Sequence, residues 1–470
     1  MPVSRLILPS IPIISSLLAS TCAQVVNSSS TSAVLPLTAA YYGNTFNAEV
    51  TLGDQSFLVL IDTGSADVWV SGEGWKCKRA GASSKAGCEY GNQTYDPSTS
   101  STFQPVDYAW LGEHYGTGDV VGPLGTEDVR LGNITIPDQI FGVVNTSTNI
   151  GDKVNTGLMG LGYPIIAQAH PINYTATSSN ALLLDRLQYS TLGVAVEGIT
   201  QPAIERSFGL TRSGNLSTRE LRFWHMIDLG IEPYFTLALD RMAREQEIGA
   251  GGYLTFGTLP PVSHGPFVTA PVEVTEAVPP SFTDGKRQTS FWTTTVQSVS
   301  WNNESDSTPF QAIVDSGNWE NVFPPKIANG INAGFSPPGK LNKTTNYFEV
   351  DCDATPPANV AFTVANTTFQ IDSADMIWRD WDGTCYSTVE AAATSLGITL
   401  PFLGVPFFKN TVVVFDVGKD EIRIAARTTG AVPGSPSVVP ATGAAHHIAP
   451  DGTLLATMLV AAALSLAVYV

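Results

Sequence analysis

Phe57-Leu58-Val59-Leu60-Ile61-Asp62-Thr63-Gly64-Ser65 carries an unbroken apolar run into an acid, a hydroxyl and a glycine, and Ala312-Ile313-Val314-Asp315-Ser316-Gly317-Asn318 repeats the pattern far downstream. Each apolar run has the length and composition of a buried strand. Each acid therefore stands where a strand gives way to a tight turn, and the glycine two places on lets the backbone come close. Both copies have a follower, Leu158-Met159-Gly160 for the first and Phe402-Leu403-Gly404 for the second. A lone Asp-Thr-Gly usually marks a turn. Two copies, each with an apolar-apolar-Gly partner, indicate two lobes built on one plan.

A duplicated acid has a chemical use. One carboxylate accepts a proton from water while a second donates one to a carbonyl or a leaving amine, so the two must face each other. Like charges that near do not both ionise; the pair shares a proton and its apparent pKa values split. The neighbouring hydroxyls of Thr63, Ser65 and Ser316 are placed to orient the carboxylates. Asp62 and Asp315 are thus the candidate catalytic residues.

The rest of the composition agrees. Of 470 residues, 43% are hydrophobic and 14% charged, and 42 Gly with 31 Pro predict many turns and short strands, hence an all-β or β-rich chain. The net charge of −18 and the lack of any Lys/Arg cluster exclude nucleic acid as a partner. Acidic surroundings suit such a chain, because its self-repulsion shrinks as carboxylates take up protons. A serine hydrolase is excluded by the lack of a Gly-x-Ser-x-Gly elbow, and a zinc peptidase by the lack of His-Glu-x-x-His. No metal or cofactor is expected.

The chain ends point to the secretory route. Arg5, the apolar stretch Leu6 to Ala19 and the small residues before Gln24 read as a signal peptide, residues 1–23, with a membrane anchor as the alternative. Cleavage after Ala23 removes Cys22 and leaves four cysteines, which permit three pairings; loop proximity favours Cys77 with Cys88 and Cys352 with Cys385. Acceptor triplets for N-glycosylation stand at Asn27, Asn92, Asn133, Asn145, Asn173, Asn215, Asn303, Asn342 and Asn366. A Ser/Thr/Pro/Gly-rich stem and spacer over 429–453 precedes the chargeless tail 454–470. Gly443-Ala444-Ala445, the polar spacer His446 to Thr453 and the apolar tail fit a glycosylphosphatidylinositol (GPI) attachment signal, with a retained single-pass anchor as the alternative.

The chain resembles the pepsin-like aspartic protease family over roughly residues 40 to 427, and its anchored architecture is similar to fungal surface-anchored (yapsin-like) members. Asp62-Thr63-Gly64-Ser65-Ala66-Asp67-Val68-Trp69-Val70 looks like the first active-site loop, and His114-Tyr115-Gly116-Thr117-Gly118 like the β-hairpin flap. The resemblance implies a bilobal all-β fold with a central substrate cleft. It also implies that Tyr115 closes over an extended peptide, Gly116 and Thr117 offer backbone hydrogen bonds, Gly64 and Gly317 lie against substrate, and Trp69 supports the flap tyrosine. The cysteine placement agrees with the family, and peptide or protein substrates, acidic pH and a monomer follow. In the same way Asp119, just after the flap, is placed either to attract basic side chains or as a solvated strand-edge charge.

Four departures stand out. Asn318 replaces the hydroxyl residue that usually bonds the second Asp, and its carboxamide is expected to donate to Asp315 instead. Ser316 replaces Thr and keeps the hydroxyl. Thr156 and Val405 stand where Asp is usual, so side-chain braces behind the two loops are expected to be lost. The stretch near 166–222 is long and reads as an insertion with a helix near Ala181 to Leu187. The expected organisation is a short prosegment or mature N-terminal segment over 24–35, an N-terminal β lobe over 36–262 and a C-terminal β lobe over 263–428. A catalytically weak or inactive surface binding protein on the same scaffold is the competing reading.

Overall fold

The computed structural model describes residues 32–78, 91, 93–115, 118–148, 150–163, 166–167, 169–171, 231–243, 245–276, 287–343, 345–392 and 400–428. The signal peptide, most of the 166–222 insertion with its expected helix, Cys88, Gly116, Thr117, the stem and the apolar tail lie outside these residues. Among the described residues no helix is long and apolar enough to cross a membrane.

The fold is bilobal and almost wholly β. Alternation of apolar and polar residues buries one face of Ala33–Ala40 and Gln55–Asp62, whereas Thr411–Asp416 is buried throughout. That last strand lies inside a 14-stranded sheet, flanked by Glu421–Ala426 and Tyr234–Leu239. The sheet runs on through Gly249–Phe256, Ala33–Ala40, Thr45–Leu52 and Gln55–Asp62. It therefore passes the 262/263 position, because residues late in the chain return to pair with an early strand. Ala33 to Leu35, the end of the 24–35 segment, pair with Phe256 to Leu254 in the same sheet.

Three smaller sheets complete the second lobe. The helix Pro325–Ala333 starts on Pro325, whose missing N–H costs nothing at that position, and buries Ile327, Ala328 and Ile331 against them. Trp292 joins the lobes: it is buried, meets the Phe415 ring edge-to-face at 5.0 Å and donates its indole N–H to the Leu161 carbonyl. The Cys352–Cys385 disulfide forms as expected. Cys77 is also disulfide-bonded, and its expected partner Cys88 is outside the described residues.

Candidate active site

Each follower strand is threaded beside its acid. Gly157–Gly160 runs parallel to Gln55–Asp62, with Asp62 opposite Gly160, and antiparallel to Val68–Lys78. Phe402–Leu403 runs parallel to Phe310–Val314, with Val314 opposite Leu403, and antiparallel to Asn321–Phe323. The same three-strand unit thus presents both acids, and hydrogen bonds at the strand end fix each turn. Leu161 N–H donates to the Asp62 carbonyl at 2.7 Å, and Asp315 N–H donates to the Leu403 carbonyl at 3.0 Å.

The two turns interlock. The Thr63 hydroxyl donates to the Val314 carbonyl at 2.8 Å and accepts Ser316 N–H at 2.9 Å. The Ser316 hydroxyl donates to the Ile61 carbonyl at 2.8 Å and accepts Thr63 N–H at 3.2 Å. All four groups are buried, so each bond removes an otherwise unmet donor or acceptor.

Asp62 and Asp315 are brought into hydrogen-bond contact with each other. Gly64 N–H donates to Asp62 and Gly317 N–H to Asp315, both at 2.8 Å. The glycines are required by close approach: a Cβ on Gly64 would lie 2.4 Å from an Asp315 oxygen, and one on Gly317 2.5 Å from an Asp62 oxygen. Burial, first, and then the Asp62 charge beside it hold the Asp315 carboxyl well above the usual carboxylate range, against the lowering effect of Gly317 and Asn318 N–H. Asp315 as a residue keeps some exposure while its carboxyl is enclosed. The Ser65 hydroxyl donates to Asp62.

Asn318 corrects an expectation. Its carboxamide oxygen accepts Glu320 N–H at 3.3 Å, its backbone N–H donates to the Asp315 main-chain carbonyl at 3.4 Å, and its side-chain amide makes no bond to Asp315 among the described residues. The braces behind the loops also differ. The Thr156 hydroxyl is buried without a partner among the described residues, while its backbone bonds Leu58 and Ser71. Val405 N–H donates to the Asn318 carbonyl, and the Asn321 side chain accepts Gly404 N–H at 2.9 Å. Asn321 was not singled out from sequence, although it lies six residues beyond Asp315.

Gln104–His114 and Asp119–Leu131 form the hairpin, closed at Tyr115 N–H to the Gly118 carbonyl. Trp69 Nε1 donates to the Tyr115 hydroxyl at 2.8 Å. Burial raises that hydroxyl well above the ordinary tyrosine range, which keeps it neutral. Asp119 is tied to Thr148: its N–H donates to the Thr148 hydroxyl, which donates back to the carboxylate at 3.1 Å.

A second acid pair was not foreseen. Glu320, 1% exposed, accepts Trp378 Nε1 at 2.8 Å and is hydrogen-bonded to Glu390, which accepts Asn346 Nδ2 at 2.6 Å. Burial raises both carboxyls.

The model of the eukaryotic aspartyl protease family matches residues 45–191 and 220–427, passing over 192–219 within the long segment noted above. A probable aspartic-type endopeptidase of Aspergillus fumigatus is 31% identical over 81% of this chain and 78% of its own. Gastricsin of Oryctolagus cuniculus is 25% identical over 83% and 82%. The crystal structure of the aspartic proteinase from Irpex lacteus superposes with a TM-score of 0.57 at 18% identity, covering 86% of this chain and all of that one, a likeness of fold.

Proposed function

The chain belongs to the eukaryotic aspartyl protease family and is an aspartic-type endopeptidase, and from that premise we propose that Asp62 and Asp315 are its catalytic pair, working best in acid. One observation carries this reading: two carboxyls in mutual hydrogen bond, each capped by the glycine N–H two residues on. In the proposed cycle Asp315 holds the shared proton and Asp62, as carboxylate, takes a proton from a water lying between them. The water oxygen attacks the scissile carbonyl while Asp315 protonates the carbonyl oxygen. The resulting gem-diol collapses when the leaving nitrogen takes the proton from Asp62 and a gem-diol hydroxyl returns its proton to Asp315; the C–N bond breaks, the carboxyl product forms, and the starting protonation of the pair is restored. No covalent enzyme intermediate forms.

Tyr115, held by Trp69, covers the extended peptide on this reading, with Gly116 and Thr117 supplying backbone bonds and Gly64 and Gly317 lining the floor. The protein is further proposed to be a secreted, glycosylated monomer carried to the cell surface on a GPI anchor. The acceptor residues Asn133, Asn145, Asn303 and Asn366 are exposed, which supports glycosylation.

The test is cleavage of a mixed peptide library from pH 3 to 7 by the protein, beside Asp62→Asn and Asp315→Asn. Acid-dependent, pepstatin-sensitive cleavage lost in both variants supports the assignment. A folded protein that cleaves nothing at any pH favours the binding-protein reading.

A further inference from the structure

Behind the catalytic loop lies a cavity of about 100 Å³, walled by Tyr42, Asn44, Arg241, Trp319, Arg379 and Lys409 among others. Trp319 directly follows Asn318, so the cavity wall is continuous with the loop that carries Asp315. Its donors outnumber its acceptors. Asn44 Nδ2 and Arg379 Nε are buried without an acceptor among the described residues, and Asn44 is 4% exposed. Lys409 makes no hydrogen bond or ion pair among the described residues; the Phe46 ring lies 6.0 Å from its ammonium. Burial pulls that ammonium below the usual lysine range, against the raising effect of Asp375.

The nearby acids are already engaged. Asp375 receives Arg241 Nε on both oxygens, at 2.9 and 2.8 Å, and Asn410 Nδ2 at 2.7 Å. Asp372 meets Arg241 at 3.5 Å from a half-exposed position. Asp380 takes the Tyr41 hydroxyl and Glu247 the Tyr42 hydroxyl. Turning the Asn44 carboxamide over would supply one acceptor for two cations, and the excess of donors would stand.

We infer that this cavity is a carboxylate-binding site, with Lys409, Arg379 and Asn44 as donors to the bound oxygens. The volume suits a short carboxylate: a cavity of roughly 150 Å³ is filled by one benzene ring. Trp319, Trp378 and Ile377 also line it and give a short stem apolar surroundings. Unmet buried donors are costly, and an anion that meets them stabilises the fold by mass action. The carboxylate comes either from a free small acid or from an acidic side chain of the bound peptide. The site lies outside the proposed dyad, and its occupancy does not depend on cleavage.

Thermal unfolding of the full chain at pH 6 in acetate, against chloride at equal ionic strength, reads occupancy directly. Acetate at ten times its Kd is expected to raise Tm by about 2 °C, and Lys409→Met to lose that rise. Asn44→Asp places a carboxylate against the same cations, so it should raise Tm without acetate and abolish the acetate effect. Equal Tm in acetate and chloride, or a lowered Tm in Asn44→Asp, overturns the inference and indicates donors met by water alone. A pair of peptides differing by Glu or Gln on the amino side of the scissile bond separates the sources. If Lys409→Met lowers the Glu/Gln ratio of kcat/KM about ten-fold, the carboxylate is the substrate's; an unchanged ratio with an intact acetate effect assigns it to a free acid. Failure of cleavage leaves the Tm result standing, so loss of this site and loss of the protease assignment are told apart.

Discussion

Thr63 and Ser316 exchange hydrogen bonds across the two turns that carry Asp62 and Asp315, each hydroxyl accepting the other residue's N–H while donating to a carbonyl on the opposite strand. Ser316→Ala deletes one hydroxyl and leaves the Thr63 N–H and the Ile61 carbonyl unmet in a buried place. The expected loss is about 2 kcal/mol of stability, read as a lower urea midpoint with unchanged slope. Ser316→Thr keeps the hydroxyl and is expected to lose much less. If Ser316→Ala unfolds at the wild-type midpoint, the interlock contributes nothing.

Replacement of either dyad acid tests chemistry separately from folding. Asp62→Asn and Asp315→Asn are each expected to lower kcat by about 10³-fold or more while the protein remains folded by circular dichroism. Gly64→Ala should be as damaging, since its new Cβ would lie 2.4 Å from an Asp315 oxygen. Retention of a tenth of wild-type kcat in any of the three would remove that residue from the site as described.

The indole of Trp69 donates one bond to the Tyr115 hydroxyl, and on the proposed reading this bond positions the flap. Trp69→Phe keeps the ring packing and removes the donor, worth about 1 kcal/mol. We expect kcat/KM to fall roughly five-fold at constant Tm, with Tyr115→Phe giving a similar loss. Additive losses in the double variant would mean that the two residues act independently.

The Glu320–Glu390 pair ties stability to acid. Both carboxyls have raised folded values, so they bind protons more tightly folded than unfolded. Their contribution is fully present below the ordinary glutamate value of 4.5 and is lost as pH rises through the raised values. Asp315 and Asp375 are raised as well and act in the same direction. Unfolding free energy should therefore fall above about pH 4.5, by up to about 1.4 kcal/mol per pH unit for each proton released. Glu320→Gln keeps an acceptor for Trp378 and a donor for Glu390, and should flatten the fall. An unchanged slope in that variant would place the pH dependence elsewhere.

The dyad, its glycines, its hydroxyls and the flap pair were legible because each belongs to a short run whose order reflects a local need: an apolar strand, an acid, a turn. The threaded followers were legible because Leu158-Met159-Gly160 and Phe402-Leu403-Gly404 repeat. Glu320 and Glu390 gave no signal, since seventy residues separate them and nothing in either neighbourhood marks a buried acid. The orientation of Asn318 was not legible: a residue type indicates which bonds a side chain is able to make, while the turn directs this carboxamide oxygen to Glu320 N–H. The cavity of Asn44, Arg379 and Lys409 draws on three distant segments, and a linear reading has no means of seeing them converge.

The return of Thr411–Asp416 to Tyr234–Leu239 sets an order on biosynthesis. A ribosome delivers Asp62 early, Asp315 much later, and the Leu403 carbonyl that fixes the second turn later still. The strand that closes the large sheet follows even that. Long-range pairings of this kind form only once both partners have emerged. If Asp62 and Asp315 are the working pair, a nascent chain carries half of its chemistry for most of its synthesis, and no working peptidase exists until nearly all of the protein has been made.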